Sequence, residues 1–198
     1  MTSKQFTPWR RDMQLGALMM IIAIGAVFIL VRTQLVSPLK YGPAAVLVAV
    51  FGYWRAQRGY HRWFGKYTEE RSLNALEARL PAGWEMRRNV MTANGDCDAI
   101  ITAPDFRFVV EIKSVRSVTM SHRLLRGTTL SFGRDVSATP ASHVAQIAFN
   151  AGNAGGVGIL WYPLARKKDY GLLGGTWVVT GHAKVLVKVM QKHIKRAA

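Results

Sequence analysis

Asp98, Glu111 and Lys113 are the residues of this chain whose types and spacing could do chemistry. They fall in Gly95-Asp-Cys-Asp-Ala-Ile-Ile-Thr-Ala-Pro-Asp-Phe-Arg-Phe-Val-Val-Glu-Ile-Lys113, which reads as two adjacent strands. Side chains alternate faces along a strand, so Glu111 and Lys113 project from one face with Ile112 turned away. With Asp98 at the start of the neighbouring strand, its carboxylate can reach Glu111. Two close carboxylates repel unless a cation neutralises them, and hard oxygen ligands suit Mg2+ or Mn2+. Such a cation would bind a scissile phosphate, lower the pKa of a bound water and stabilise transition-state charge. Lys113 would contact the phosphate or help orient and deprotonate that water. A bare Glu-x-Lys is more often a solvated surface pair. The apolar lead-in Phe108-Val-Val110 and the upstream Asp98 strand weigh against that plainer meaning.

The elements that would position these groups are legible on both sides. Tyr67 to Leu80 carries Leu73, Leu76 and Leu80 at helical spacing, and Pro81-Ala-Gly83 ends it. Three strands follow: Trp84 to Val90, Asp98 to Ala103 after an Asn94-Gly95 turn, and Phe106 to Lys113 after Pro104-Asp105. A polar, basic region from Ser114 to Thr139 leads to a helix over Ala141 to Asn150, closed by Gly152 and Gly155-Gly156. Val157 to Tyr162 and Thr176 to Thr180 read as strands, and His182 to Lys195 as a final helix. This order implies an α/β sandwich around a small mixed sheet.

A Glu in an N-terminal helix, then Gly-x-x-Asp before an apolar strand, then Glu-x-Lys ending the next strand resembles the PD-(D/E)xK nuclease superfamily. More narrowly it resembles the nuclease-related NERD domain. The resemblance runs from about Gly65 to Val179. It is carried by Glu69-Glu70, Leu80-Pro-Ala-Gly-Trp84, Asp98-Ala-Ile-Ile101, Pro104, Phe108-Val-Val-Glu-Ile-Lys113 and Gln146-x-x-x-Asn150. It implies a restriction-endonuclease-like αβββαβ fold, with Asp98 and Glu111 as ligands of Mg2+ or Mn2+ and Lys113 as the catalytic lysine. Glu70, or failing it Glu69, would complete the site, with Gln146 lining it. Ser114-Val-Arg-Ser-Val118 stands where the family often has an aromatic and a glycine after the lysine. The Asp-Cys-Asp pair leaves Asp96 and Asp98 as alternatives. Asp98 is preferred because the apolar strand starts directly after it, whereas Asp96 suits the turn. Glu69 and Glu70 also fit a simple complement to a helix dipole, and Gln146 a surface position. His122 and His143 lack ligand spacing, and Cys97 reads as a small packed residue.

The first third of the chain differs in kind. Met13 to Val31 is apolar or small except for Gln14, close to the roughly 20 residues that cross a bilayer. A signal peptide is the competing reading, but the run is long for one and lacks an obvious cleavage site. A second run, Tyr41 to Trp54, spans only if extended back to Val36 with Lys40 snorkelling and Tyr53-Trp54 anchoring the far end. Arg32 to Lys40 would then be a tight turn. Lys4, Arg10 and Arg11 would lie on the same side as Arg55, Arg58, Arg62 and Lys66, so both termini should face the cytoplasm of a bacterial-type inner membrane. The expected division is a two-helix transmembrane hairpin over residues 1–60 and a NERD-like domain over 61–198.

Of the 198 residues, 27 are Lys or Arg and 11 Asp or Glu, a net charge of +16. That balance favours polyanionic partners, nucleic acid or anionic lipid. One cysteine excludes an intrachain disulfide and a cysteine-rich zinc site. Arg116, Arg123 and Arg126 follow the proposed catalytic lysine with no acidic residue before Asp135, a place for a phosphate backbone. Lys184, Lys188 and Lys192 form a stripe on the last helix, equally able to meet nucleic acid, lipid or solvent. The expected activity is metal-dependent hydrolysis of nucleic acid, with DNA as the expected substrate. A larger membrane complex or a homo-oligomer is a further expected partner; the alternatives are a membrane-tethered binding or assembly subunit on a nuclease-like fold, and a purely structural membrane component whose charge meets lipid.

Overall fold

A computed structural model of the chain describes residues 8–33, 38–92, 95–123, 127–132 and 140–197. The chain divides into two compact units, Met1–Tyr67 and Thr68–Ala198, rather than at residue 60. The division falls inside a helix.

In the first unit, α1 (Pro8–Thr33) runs antiparallel to the first part of α2 (Pro38–Glu77). Trp9 meets Trp63 at 6.4 Å between ring centroids, and Gly16 lies against Gly52. A Cβ on Gly16 would sit 2.5 Å from the Gly52 carbonyl oxygen, so the backbones approach as only glycine permits. Asp12 ties the pair together, 3.2 Å from Arg55 and 3.1 Å from Arg62. Among the described residues one helix is long and apolar enough to cross a membrane, over Trp9–Ile29. Its Ile21 and Phe28 are exposed. The apolar part of α2 does not reach that length and hydropathy; Arg55, Arg58 and Arg62 cut it short. Residues 34–37, the centre of the expected turn, lie outside the described residues.

In the second unit, the end of α2 supplies what the sequence marks as a separate helix over Tyr67 to Leu80. Leu73 and Leu76 are fully buried. The helix stops at Glu77, before Pro81 could disrupt it, and the chain turns through Gly83, whose φ of 82° suits glycine. Then come β1 (Glu85–Thr92), β2 (Gly95–Ala103), β3 (Phe106–Ile112), β4 (Val118–Arg123), β5 (Gly127–Phe132), α3 (Pro140–Ala154), β6 (Val157–Tyr162), β7 (Asp169–Leu173), β8 (Thr176–Thr180) and α4 (Ala183–Ala197). Six strands form one mixed sheet in the order β1-β2-β3-β6-β8-β7, and β4 and β5 pair separately. β1, β2 and β3 are antiparallel neighbours, β6 lies parallel to β3 and to β8, and β7 closes the far edge antiparallel.

Two apolar layers sandwich this sheet. On one face Phe108, Val110, Ile112, Ile159, Trp161 and Val179 pack with Leu73 and Leu76 of α2 and Leu186 and Met190 of α4. On the other, Val109, Leu160, Tyr162 and Val178 pack with Ile147 and Ala151 of α3 and with Val118 and Met120 of β4. The β6 strand enters against β3 through Gly156, where a Cβ would lie 2.8 Å from the Arg107 carbonyl oxygen.

Ser114 to Thr139, expected as a polar basic loop, contains the β4–β5 hairpin. Its alternation is real but veiled: Val118, Met120, Leu130 and Phe132 turn inward while Thr119, Ser121, Thr129 and Ser131 turn out. β7 is a further strand that its Gly171 and flanking lysines conceal. α3 runs on to Ala154, past the expected end at Asn150.

Candidate active site

The site is built where β2 and β3 part. Their ladder pairs Ala103 with Phe106 and continues to Ala99 with Val110, but the next pair, Asp98 with Glu111, is not formed. Instead the Asp98 carboxylate crosses the gap and accepts the Ile112 backbone N–H at 2.6 Å. The facing strand β1 is distorted at the same level. Asn89, opposite Asp98, has φ of 48° and drops out of a register that holds at Arg88 with Ala99 and Val90 with Cys97. Asn tolerates that left-handed conformation better than most residues. β2 changes face here: Ala99 and Ile101 belong to one apolar layer, Cys97 to the opposite one. Strict alternation would place Cys97 and Ala99 together, so the strand turns about Asp98.

On β3 the alternation is regular. Phe108, Val110 and Ile112 enter one layer, while Val109, Glu111 and Lys113 face α3. The ladder with β6 extends one bond past the strand, Lys113 N donating to Trp161 O at 2.9 Å. Lys113 Nζ donates to Glu111 Oε1 at 2.7 Å and to Gln146 Oε1 at 3.3 Å, and Gln146 Nε2 donates to the same Glu111 oxygen at 3.3 Å. Gln146 reaches the site because His143, Gln146, Ile147 and Asn150 line one side of α3. The second oxygen of Glu111, Oε2, is buried with no hydrogen-bond partner.

Electrostatics follow from this geometry. Burial pushes the Asp98 carboxyl up to about 7, and the neighbouring Glu111 charge adds to the rise; the Ile112 N–H and Lys113 oppose it. Glu69 raises it further. Burial, then Glu111 and Asp98, also lift the Cys97 thiol, which keeps it protonated and inert. Burial lowers His143, and the Lys113 charge lowers it again, so its imidazole is neutral beside the lysine. His143 Nδ1 lies 3.0 Å from the Tyr162 hydroxyl, which burial holds protonated.

Asp98, Glu111, Lys113 and Gln146 are thus brought together as the sequence leads one to expect. Asp96, exposed and paired with Met91, is not part of the group. Of the alternatives on α2, Glu70 is exposed and Glu69 is the carboxylate whose charge Asp98 feels. Adjacent helical positions point about 100° apart, so one of the two faces the site. Arg116 follows Lys113 and lines a basic cleft beside β4 and β5. Arg123 ends β4, and Arg126 lies outside the described residues. His143 and Tyr162 are the neighbours that spacing did not mark; a His three residues before Gln146 was the available signal. Among the described residues no group of three or more His, Cys, Asp or Glu side chains could hold a metal by itself. Asp98 and Glu111 are the pair able to share one, and Mg2+ needs only one or two carboxylates, with water and substrate phosphate completing its shell.

The second unit is therefore a mixed α/β domain with a carboxylate–lysine cluster where two strands separate. Comparison with family models, curated proteins and solved structures finds no match to the chain.

Proposed function

We propose that this chain is a membrane-anchored, divalent-metal-dependent nuclease on a restriction-endonuclease-like, NERD-type domain. The observation that carries the reading is the buried, unpartnered Glu111 Oε2 beside an Asp98 whose carboxyl is pushed up to about 7. Lys113 meets only one oxygen of Glu111, so a divalent cation at Oε2 would both satisfy that atom and offset its repulsion with Asp98. The order helix, three antiparallel strands, helix, parallel strand supports the fold assignment.

A bound Mg2+ or Mn2+ would supply Lewis acidity toward a phosphodiester and a more acidic water. Glu111 and Asp98 would hold it, Asp98 being oriented by the Ile112 N–H. Lys113, held between Glu111 and Gln146, is placed to meet a phosphate oxygen or the attacking water. Glu69 supplies further negative charge on the side of α2. Trp9–Ile29 anchors the protein in a bacterial-type inner membrane; a second span in α2 would leave both termini cytoplasmic. Nucleic acid, with DNA as the expected substrate, fits the charge of +16.

The Lys113–Glu111 pair also favours a second reading, in which the lysine itself neutralises the carboxylate and the domain only binds nucleic acid or assembles with partners. Incubating the detergent-solubilised full chain with Mg2+ and labelled DNA or RNA separates the two. The nuclease reading expects cleavage that is lost with chelator, in Asp98→Ala and in Lys113→Ala. Binding that survives both substitutions without any cleavage supports the second reading.

A further inference from the structure

A cleft of about 600 Å³ opens between the β4–β5 hairpin and the turn joining β6 to β7. Such a volume lies within the roughly 300–1,000 Å³ typical of ligand clefts. Arg116, Arg166 and Lys167 line it, and among the described residues no carboxylate does. The turn is built to present its cations: Ala165 is buried in the layer beneath, its N–H bonded to Tyr162 O at 3.3 Å, so Arg166 and Lys167 emerge exposed. From the hairpin, Thr119 and Ser131 face each other across the ladder with their side chains exposed, adding hydroxyls to the cationic wall.

One wall residue of the cleft, Phe132, reaches the surroundings of the carboxylate–lysine cluster. That side chain is half-buried, and its ring lies 5.4 Å from His143 and 5.7 Å from Tyr162 between centroids. His143 is near enough to Lys113 to feel its charge. Cations, hydroxyls and an aromatic ring on the walls are the parts of a single-strand track. In such tracks basic groups follow the phosphates and an aromatic face stacks a base.

We propose that this cleft holds an unpaired strand of nucleic acid, its phosphates on Arg116, Arg166 and Lys167 and a base against Phe132, threading it toward Glu111 and Lys113. The inference rests on the nuclease reading for the direction of the strand, but the binding site stands or falls separately. A single aromatic ring beside a short run of cations suits an unpaired strand, whose bases are free to stack.

The test is anisotropy of a labelled 12-nucleotide single strand, and of the same sequence as duplex, on the full chain in detergent with chelator over a range of salt. Arg166→Ala/Lys167→Ala should weaken single-strand binding about tenfold or more. The slope of log affinity against log salt should shrink by about 1.4, the share of two single-strand phosphate contacts. The charge-preserving Arg166→Lys/Lys167→Arg variant should recover most of both, which separates lost charge from lost folding. Unchanged affinity and slope in the alanine variant overturn the cleft even if Mg2+-dependent cleavage is found. Lost binding in that variant supports the cleft even if the protein cleaves nothing. Duplex bound as tightly as single strand, and lost equally, overturns the selection of unpaired substrate.

Discussion

The two faces of the central sheet are fed by the same strand and are put to opposite uses. Toward α2 and α4, β3 sends Phe108, Val110 and Ile112 into a closed apolar layer in which Trp84 stacks on Phe108 at 6.0 Å. Toward α3 it sends Val109, then Glu111 and Lys113, into a layer that starts apolar and ends in carboxylate, amine and amide. The first face can only stabilise. The second tolerates a buried carboxylate oxygen without a partner, an arrangement that costs stability and persists where something else requires it.

Substitutions on neighbouring residues of β3 should divide along this line. Glu111→Ala, like Lys113→Ala, should lower cleavage by roughly 10²–10³-fold or more, the scale of losing a group that stabilises transition-state charge. Its stability in cation-free buffer should fall less than that of an apolar-face variant, because losing the Lys113 pair is offset by removing the orphaned Oε2 and the repulsion with Asp98. Phe108→Ala, three residues away and fully buried, should instead cost about 3–5 kcal/mol of stability in denaturant titrations. Equal destabilisation by both would erase the distinction between the faces.

A smaller effect sharpens the same contrast through pH. In the folded chain Asp98 holds its proton up to about pH 7, whereas the unfolded carboxyl releases it near 3.8. The folded state therefore binds more protons between those values, so stability without a divalent cation should fall as pH rises from about 4 to 7 and level off above. Asp98→Asn should flatten that part of the profile. Mg2+ competes with the proton, so its affinity should climb with pH through the same window. Phe108→Ala keeps Asp98, so it should retain the slope while lowering stability at every pH. Gln146→Ala should have the smallest effect, about tenfold or less in turnover, because Gln146 positions Lys113 and is itself exposed.

Much of this arrangement is legible from residue order. The period-two pattern of Phe106 to Lys113 fixes which side chains share a face, and the apolar strand after Asp98 favours it over Asp96. Less could be read where local signals compete. Thr, Ser and Arg hide the inward row of the β4–β5 hairpin, and a helix that runs unbroken to Glu77 gives no local cue to where one compact unit yields to the next. Glu69 and Glu70 were alike in sequence, since which neighbour faces a sheet depends on helix rotation set by Leu73 and Leu76 packing. The basic turn at Arg166-Lys167 carries no motif. It gains meaning only when β6 and β7 bring it opposite the hairpin.

The central claim is that Asp98 and Glu111 hold one divalent cation between them, and anomalous scattering from crystals of the full chain soaked in Mn2+ tests it most directly. The account predicts a single strong peak at ordinary oxygen–metal distance, roughly 2.0–2.3 Å, from Glu111 Oε2 and from an Asp98 oxygen. Carboxylates that stay apart with no peak between them, Lys113 still seated on Glu111, would contradict it.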